Sequence, residues 1–392
     1  MNRCSSCYSI HSMQRGLASV LMALVFCGAI FAQQPDPRQI FDAALAAQRR
    51  GDEALAVSKY RQVIHLRPDL TAAHANLAGA LVALGRFNEA ITEYRTALTE
   101  VPGNPALELN LAIAYFKKGD TVSAAGLLSA LHAADSTNER VAILLGGCDV
   151  RLGQDTQAIT LLTPFEASDA DNLDLEFALG SALLAAGHTS DGLQRVEKVA
   201  QQGRRAEAYL LAAQADLKLD QFNQARQDVQ AAMRLNPNLP GIDTVDGRVL
   251  DYFGDQKGAA AAYQKALKAN PNDFEAELQL GAVLYTERQL DAAREHLVRA
   301  LEMQPASAPA HYEMGRVERA QGKLDAAAGD LEKAEQEDPG WLEPHVELTA
   351  IYYRLKRPDD GAREKAIVDR IKAEQQQRGT HSRIITPGAP SP

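Results

Sequence analysis

The sequence predicts an all-α solenoid of antiparallel helix pairs, and two residue periods and one charge pattern support this fold class. Prolines recur every 34 residues, except for one interval of 135 residues, which is one short of four periods. Alanines keep the same period twelve residues earlier. The prolines are Pro68, Pro102, Pro237, Pro271, Pro305 and Pro339, and the alanines are Ala56, Ala90, Ala124, Ala158, Ala225, Ala259, Ala293 and Ala327. A fixed period of this length is typical of repeat architectures. The charge pattern is that of residues 357–378, where many charged residues and few apolar ones are typical of the polar cap that ends a repeat array.

Counting from the residue after each proline-containing turn divides residues 37–378 into ten repeats, the last with a C-terminal capping helix. Their starts are 37, 71, 105, 139, 173, 206, 240, 274, 308 and 342. Position 8 of nine repeats is Ala or Gly, and position 20 is Ala or Gly in all ten. Small residues at these positions allow two helices to approach closely. Position 24 is bulky and mostly apolar, so we expect it to fill the gap to the next unit, and proline at position 32 ends the second helix.

Several segments match the residue pattern of a known repeat family. They include Asn76-Leu77-Ala78, Leu280-Gly281 and the run of Ala90, Tyr94, Ala97 and Pro102. With them, the chain resembles the tetratricopeptide repeat (TPR) family over about residues 37–375. The resemblance implies a right-handed superhelix whose first helices line a concave, protein-binding wall. The chain departs from the family at position 4, where tryptophan is absent and three repeats carry His74, His311 and His345.

The two ends of the chain differ from the repeats. Residues 1–32 combine Arg3 and Arg15 with an apolar run from Leu17 to Phe31, which predicts a secretory signal peptide. Translation could begin at Met1 or Met13. Residues 33–36 form a short linker, and residues 379–392 are too rich in proline to pack and are expected to be disordered. The leader predicts an exported protein, periplasmic or secreted; the alternative is an inner-membrane protein anchored by an uncleaved leader.

Charge and cysteine content narrow the function classes. The whole chain has a formal net charge of −10, and removal of the leader leaves 39 basic and 51 acidic residues, a net charge of −12. This balance argues against nucleic acid and against an anionic membrane surface as the main partner, because both bind basic surfaces. Cys148 is the single cysteine beyond the leader, so no intrachain disulfide is expected there, and a buried structural role is favoured.

No catalytic, cofactor-binding or metal-binding constellation is recognisable in the sequence. HExxH, GxSxG and phosphate-loop patterns are absent, and carboxylates are scattered. His311 and His345 share position 4 one repeat apart, but no third ligand follows at a suitable spacing, so packing roles are expected. We therefore predict a protein that is not an enzyme and takes no cofactor.

The predicted peptide-binding surface lies on the first helices of repeats 7–10. Positions 5, 9 and 12 share one helix face because they are four and three residues apart. Position 12 places Arg319 between Tyr285 and Tyr353, so a guanidinium is expected between two phenol rings. The other members of this surface are Arg248, Tyr252, Tyr312 and Arg316. Arg and Tyr dominate binding hot spots, and the expected partner is an extended segment carrying a carboxylate.

A second, shorter candidate surface lies in repeats 2 and 3. Asn76 and Asn110 share position 6 and resemble the start of an asparagine ladder that holds a peptide backbone in TPR proteins. The ladder ends at Leu144.

Together these patterns predict a non-catalytic scaffold in the cell envelope of a bacterium, which binds a protein or extended peptide. The alternative is an assembly factor or auxiliary subunit of an envelope biogenesis, export or polysaccharide-processing machine. Both follow from a long repeat surface without a recognisable reacting centre.

Overall fold

A computed structural model describes residues 36–167 and 172–384, with side chains up to residue 376. These residues form twenty α-helices and one short 3-10 helix over Thr163–Ala167, with no strand among them. The all-α fold class is thereby confirmed. The predicted leader (1–32) and the last eight residues lie outside the described residues.

The helices alternate between first and second members of ten pairs. The first helices are α1 (Pro37–Arg49), α3 (Thr71–Ala83), α5 (Pro105–Lys118), α7 (Glu139–Arg151), α9 (Leu173–Ala185), α11 (Ala206–Lys218), α13 (Ile242–Tyr252), α15 (Phe274–Thr286), α17 (Ala308–Ala320) and α19 (Leu342–Arg354). The second helices are α2 (Glu53–Leu66), α4 (Phe87–Glu100), α6 (Thr121–Ala134), α8 (Asp155–Leu162), α10 (Thr189–Ala200), α12 (Phe222–Leu235), α14 (Gln256–Ala269), α16 (Leu290–Met303), α18 (Leu324–Glu337) and α20 (Pro358–Ile384).

The chain divides into two compact units, Met1–Leu161 and Leu162–Pro392. In each unit the helices of a pair pack against each other, as α3 and α4 do in the first unit and α17 and α18 in the second, and second helices pack on the first helix of the following pair. Successive first helices also contact each other: α3 contacts α5 in the first unit, and α15 contacts α17 in the second. The first helices therefore lie side by side along each unit. Apolar side chains are buried between neighbouring helices, in clusters that follow the chain.

The contact between positions 8 and 24 explains the small residue at position 8. A Cβ atom built on Gly281 would lie 2.7 Å from Cγ of Leu297, and one on Gly247 would lie 2.5 Å from Cε1 of Tyr263. In these repeats the bulky side chain therefore packs against the first helix of its own pair. The sequence interpretation, in which position 24 fills the gap to the next unit, was incomplete on this point.

A polar pair between positions 4 and 23 holds several hairpins together. Nδ1 of His74 lies 2.6 Å from Oε2 of Glu93, and Nδ1 of His311 lies 2.9 Å from Oδ1 of Asp330. Repeat 8 has the same contact with the residues exchanged, since Glu277 and His296 are 2.5 Å apart. His74 and His311 are thus hydrogen-bonded packing residues, placed where the family has tryptophan.

Two helix ends differ from the prediction. Helix α13 begins at Ile242, two residues after the predicted repeat start, because Gly241 precedes it in the left-handed conformation, with φ of 82°. Helix α20 continues to Ile384, beyond the predicted end of packed structure at residue 378. The extension, residues 379–384, contains no proline, and the next proline is Pro387.

Among the described helices, none combines the length and the apolar character that a bilayer crossing requires.

Candidate protein-binding face on the first helices of repeats 7 to 10

The candidate face is formed by side chains from four first helices of the second unit, α13, α15, α17 and α19. We call it the Arg–Tyr face, and its members are Arg248, Tyr252, Tyr285, Tyr312, Arg316, Arg319 and Tyr353. Helix α17 supplies three of them, at positions 5, 9 and 12, because these positions recur on one side of a helix. α17 also touches α15, which brings the side chains of repeats 8 and 9 together.

Arg316 is the centre of this face. Its guanidinium carbon lies 4.4 Å from the ring centre of Tyr285 and 5.7 Å from that of Tyr312. Its Nη1 also donates to both carboxylate oxygens of Glu313, at 2.9 Å each. The sequence predicted Arg319, at position 12, between Tyr285 and Tyr353. This prediction was wrong, because the arginine over the Tyr285 ring is Arg316, at position 9. The tyrosine on its other side belongs to the same helix.

Arg319 instead forms an ion pair with Glu347 of α19, one repeat further on. Both side chains are partly exposed, at 32% for Arg319 and 18% for Glu347, so solvent and a binding partner can reach the pair. Arg248 lies more loosely beside Glu275, with 3.8 Å between Nε and Oε1. Each arginine of the face thus has an internal carboxylate partner.

The two most exposed tyrosines lie at the ends of the face. Tyr252 is 56% exposed, stacks on the ring of Phe222 and meets Phe253 edge-on. Tyr353 is 48% exposed and leans against α20, where a Cβ atom on Gly361 would lie 3.1 Å from its ring. Tyr312, in contrast, is half-buried, with its ring 4.6 Å from that of Trp341. The exposed rings offer apolar area, and the half-buried ring positions Arg316.

Sequence reasoning missed the carboxylates that accompany the arginines. Glu313 and Glu347 occupy position 6 of repeats 9 and 10, and Gln279 occupies it in repeat 8. This is the position at which Asn76 and Asn110 suggested a ladder that ended at Leu144. The 34-residue period itself was the available signal, because following position 6 beyond the apolar repeats leads to these three polar residues.

Asn76 and Asn110 belong to the first unit and form a separate candidate surface. Asn76, on α3, is half-buried, whereas Asn110, on α5, is exposed. Helices α3 and α5 touch, so the two amides belong to neighbouring first helices, as the shared position predicts.

Electrostatics make the Arg–Tyr face nearly neutral. Burial raises the pKa of Glu313, whereas the guanidinium of Arg316 opposes this shift. Burial also raises the pKa of Tyr312, so its hydroxyl stays protonated and can donate a hydrogen bond. The face can therefore offer donors, acceptors and ring surfaces to a partner, while a partner carboxylate has to compete with an internal one.

One expectation about metal ligands needs correction. The sequence shows no third ligand near His311 or His345 at a suitable spacing. In the fold, Glu335 and Glu364 approach His345 from two other helices, and the three ligand atoms lie within 4.8 Å of one another. Helix packing brings together residues that the sequence separates.

Three family models, each described as tetratricopeptide repeat, match the chain. One matches residues 84–131, the second matches 41–105, 246–297 and 278–340, and the third matches 206–239. Together they cover more than half of the chain. The chain belongs to the tetratricopeptide repeat family. No curated protein sequence matches it.

Solved structures of TPR proteins are similar to this chain. The APC/C hetero-tetramer Cut9-Hcn1 aligns with a TM-score of 0.57 at 13% identity, over 90% of this chain and 92% of that chain. MamA from Desulfovibrio magneticus RS-1 has 26% identity over 43% of this chain and 96% of its own, with a TM-score of 0.39. A tetratricopeptide repeat protein from Parabacteroides merdae has 17% identity, over 63% and 98% of the two chains, with a TM-score of 0.45. The first likeness shows the fold, and the TPR architecture is that of a protein–protein interaction scaffold.

Proposed function

We propose that this protein is a non-catalytic scaffold that binds an extended segment of a partner protein on the Arg–Tyr face, in the cell envelope of a bacterium. The observation that carries the proposal is the guanidinium of Arg316 above the Tyr285 ring, with the partly exposed ion pair of Arg319 and Glu347 beside it. Arginine and tyrosine side chains held in place by their neighbours lose little entropy on binding, which is why they dominate hot spots.

The proposed partner segment carries a carboxylate that takes the place of Glu347 on Arg319. A partner carboxylate can reach Arg319 because both side chains of the ion pair are partly exposed. A bidentate carboxylate is the preferred partner of a guanidinium, and the exposed ring of Tyr353 offers apolar contact on the following first helix. The backbone of an extended segment would run along the first helices, which lie side by side.

The envelope location is supported by the leader pattern of residues 1–32. Cell fractionation tests it directly. We expect the full chain in the envelope or periplasmic fraction, and a variant without residues 1–32 in the cytoplasm. The same distribution for both variants would contradict the location while leaving the binding proposal untouched.

The binding proposal makes opposite predictions for the two members of one ion pair. The partner is first captured from native envelopes and its binding segment is synthesised as a peptide. Arg319→Ala should weaken that peptide by about 2 kcal/mol, or about 30-fold, because it removes a hot-spot cation. Glu347→Gln should strengthen binding, because the internal competitor for Arg319 loses its charge. Isothermal titration calorimetry measures both affinities.

Two further variants complete the test. Tyr353→Ala should weaken binding, whereas Arg234→Ala, on the exposed side of the second helix α12, should leave it unchanged. Circular dichroism should give the same helical content for all variants. Unchanged affinity in Arg319→Ala would refute the site, and weaker binding in Glu347→Gln would show that the partner presents a cation rather than a carboxylate.

A further inference from the structure

A buried histidine with two carboxylates lies where α18, α19 and α20 meet. Nδ1 of His345 is 2.7 Å from Oε2 of Glu364 on α20 and 3.8 Å from Oε1 of Glu335 on α18. The side chain of His345 is 1% exposed, that of Glu364 12% and that of Glu335 27%. Over the described residues, no other group of three potential metal ligands is this close together.

The other two histidines at position 4 serve as internal comparisons. His74 and His311 each contact one carboxylate, Glu93 or Asp330, through Nδ1, as His345 contacts Glu364. Glu335 is what distinguishes the third histidine. It occupies position 28 of the preceding repeat, where the other two have the apolar residues Ile64 and Leu301. A second carboxylate is therefore not needed to pack a histidine here.

The hydrogen bonds of the ring leave Nδ1 facing acceptors only. Nε2 of His345 donates to the carbonyl oxygen of Pro339 at 3.3 Å, so it carries a proton. Carboxylates accept hydrogen bonds, so a proton or another cation has to lie between Nδ1 and the two glutamates. His74 and His311 make the same Nε2 contact, with the carbonyl oxygens of Pro68 and Pro305, so this contact fixes the ring in all three repeats. It leaves Nδ1 of His345 available to a metal ion, and Glu335 remains the feature that sets this histidine apart.

We propose that His345, Glu335 and Glu364 bind one Zn²⁺ ion, with water completing the coordination. Nitrogen and carboxylate oxygen are Zn²⁺ ligands at about 2.0–2.2 Å, which places the ligand atoms of a tetrahedral site about 3.4 Å apart. The observed 2.7 and 3.8 Å lie on either side of this value. Small rotations of two glutamate side chains therefore suffice to complete the site.

Charge balance supports a divalent cation. Two carboxylates and a neutral imidazole carry a charge of about −2, which Zn²⁺ cancels. Without a cation, the two carboxylates repel each other in a largely buried place. A bound ion would connect the last helix pair to the second helix of the repeat before it.

The test uses the purified full chain after metal removal, titrated with Zn²⁺ in a calorimeter and in competition with a chromophoric chelator. We expect one site, and a melting temperature that rises with Zn²⁺ concentration. Glu335→Gln is the informative variant, because Glu335 is the most exposed ligand and is absent from the equivalent places. Loss of a residue that only supports a metal ligand usually weakens metal binding by about 10- to 100-fold. Because Glu335 is proposed to be a ligand itself, Glu335→Gln should weaken Zn²⁺ binding by at least about 10-fold.

Two matched variants serve as controls. Glu337→Gln removes a charge from the exposed surface of the same helix, and Glu93→Gln alters the equivalent histidine pair of repeat 2. Both should leave Zn²⁺ affinity unchanged, and Mg²⁺ should not compete, because it prefers oxygen ligands and retains its waters. Absence of Zn²⁺ binding, or equal affinity in the wild type and Glu335→Gln, would overturn the assignment.

Discussion

Asp216 and Asp228 form a buried pair of carboxyl groups between α11 and α12. Asp216 is fully buried and Asp228 nearly so. Burial, together with the neighbouring carboxyl groups of Asp228 and Glu197, raises the pKa of Asp216 to about 7. Burial also raises the pKa of Asp228. Both carboxylate oxygens of Asp216 are buried without a hydrogen-bond partner, and two nearby carboxylates repel each other when both are ionised, so the pair favours its singly protonated form.

This pair makes the folded chain less stable as the pH rises. The folded-state pKa of Asp216 is raised above the unfolded value, so its stabilising contribution is complete below the unfolded pKa and is lost as the pH passes about 7. Asp216→Asn keeps the shape and removes the charge. It should therefore stabilise the protein at pH 8 by about 1–3 kcal/mol, the cost of an unsatisfied buried group, with a smaller effect at pH 5. Urea unfolding at the two pH values measures this.

A control on the same helix separates burial from charge. Glu207 is exposed on α11, and Glu207→Gln should change stability by less than about 0.5 kcal/mol at both pH values. If Asp216→Asn destabilises the chain equally at pH 5 and pH 8, the buried charge of Asp216 is not the cause.

The same arrangement occurs in a second repeat, repeat 9. Glu318 and Asp330 occupy the positions of Asp216 and Asp228, and burial together with Asp330 raises the pKa of Glu318 to about 7. Asp330 also contacts His311 and Lys333, so this carboxylate joins several polar groups. The contribution of repeat 9 to stability should decline over the same pH range.

At the scale of the helical hairpin, the turn between the two helices has one conformation throughout. Position 15 of every repeat has a positive φ between 57° and 90°. Glycine occupies it in seven repeats, while Asp220, Arg288 and Lys356 occupy the other three. In this left-handed conformation the Cβ atom of any residue other than glycine lies too close to the following carbonyl oxygen, which costs about 1–2 kcal/mol per residue. The turn therefore tolerates strain in three repeats because packing of the hairpin fixes it.

One substitution should have opposite effects at two exposed glycines of the first unit. Gly85 lies at position 15 with φ of 72°, Gly126 lies within helix α6, and an added Cβ meets no atom within 4 Å at either. Gly85→Ala should destabilise the chain by about 1 kcal/mol because of its backbone conformation. Gly126→Ala should stabilise it by about 1 kcal/mol because alanine favours the helix. Melting temperatures test both, and shifts of the same sign would show that backbone conformation is not decisive.

The sequence predicted the hairpins well because their determinants are local and periodic. Prolines end second helices, and small residues at position 8 mark the contact with position 24. The left-handed turn was also readable from the glycines at position 15, but Arg288 and Lys356 obscured the pattern. At repeat 7 the period predicted a start at Pro240, whereas Gly241 delays the helix.

The Arg–Tyr face was predictable in position but not in pairing. The 34-residue period placed Tyr285, Arg316 and Arg319 on neighbouring first helices. Which guanidinium covers the Tyr285 ring depends on side-chain rotamers and on the offset between helices, which a period does not contain. The sequence did not predict the group of three potential metal ligands at His345 for a related reason, because Glu335 and Glu364 approach His345 from two other helices.

At the scale of the whole molecule, stability is distributed along the chain. Each helix packs mainly on its partner and on the next helix of its unit, so no single central core exists among the described residues. In such arrays stability is approximately a sum of repeat and neighbour contributions. Damage at one end should therefore remain near that end.

Deletion of residues 358–392 tests this property. The deletion removes α20 and uncovers the apolar side of α19, where Leu348 and Ile351 are fully buried. Each uncovered side chain of this size should contribute about 1.5–3 kcal/mol of lost burial, so α19 should unfold locally. Hydrogen exchange should show lost protection in α19 and the adjoining part of α18, with α9–α16 still protected. Loss of protection throughout the second unit would instead show that it folds cooperatively.

The polar pair inside the hairpins has a consequence for protein engineering. Both members belong to one repeat, and repeats 2 and 8 have them in opposite order, as His74 with Glu93 and as Glu277 with His296. A graft cut at the proline turns would transfer a complete pair together with its helices. Duplicated or transplanted units should then need no compensating change in the recipient at these positions, which makes this chain a suitable source of interchangeable modules.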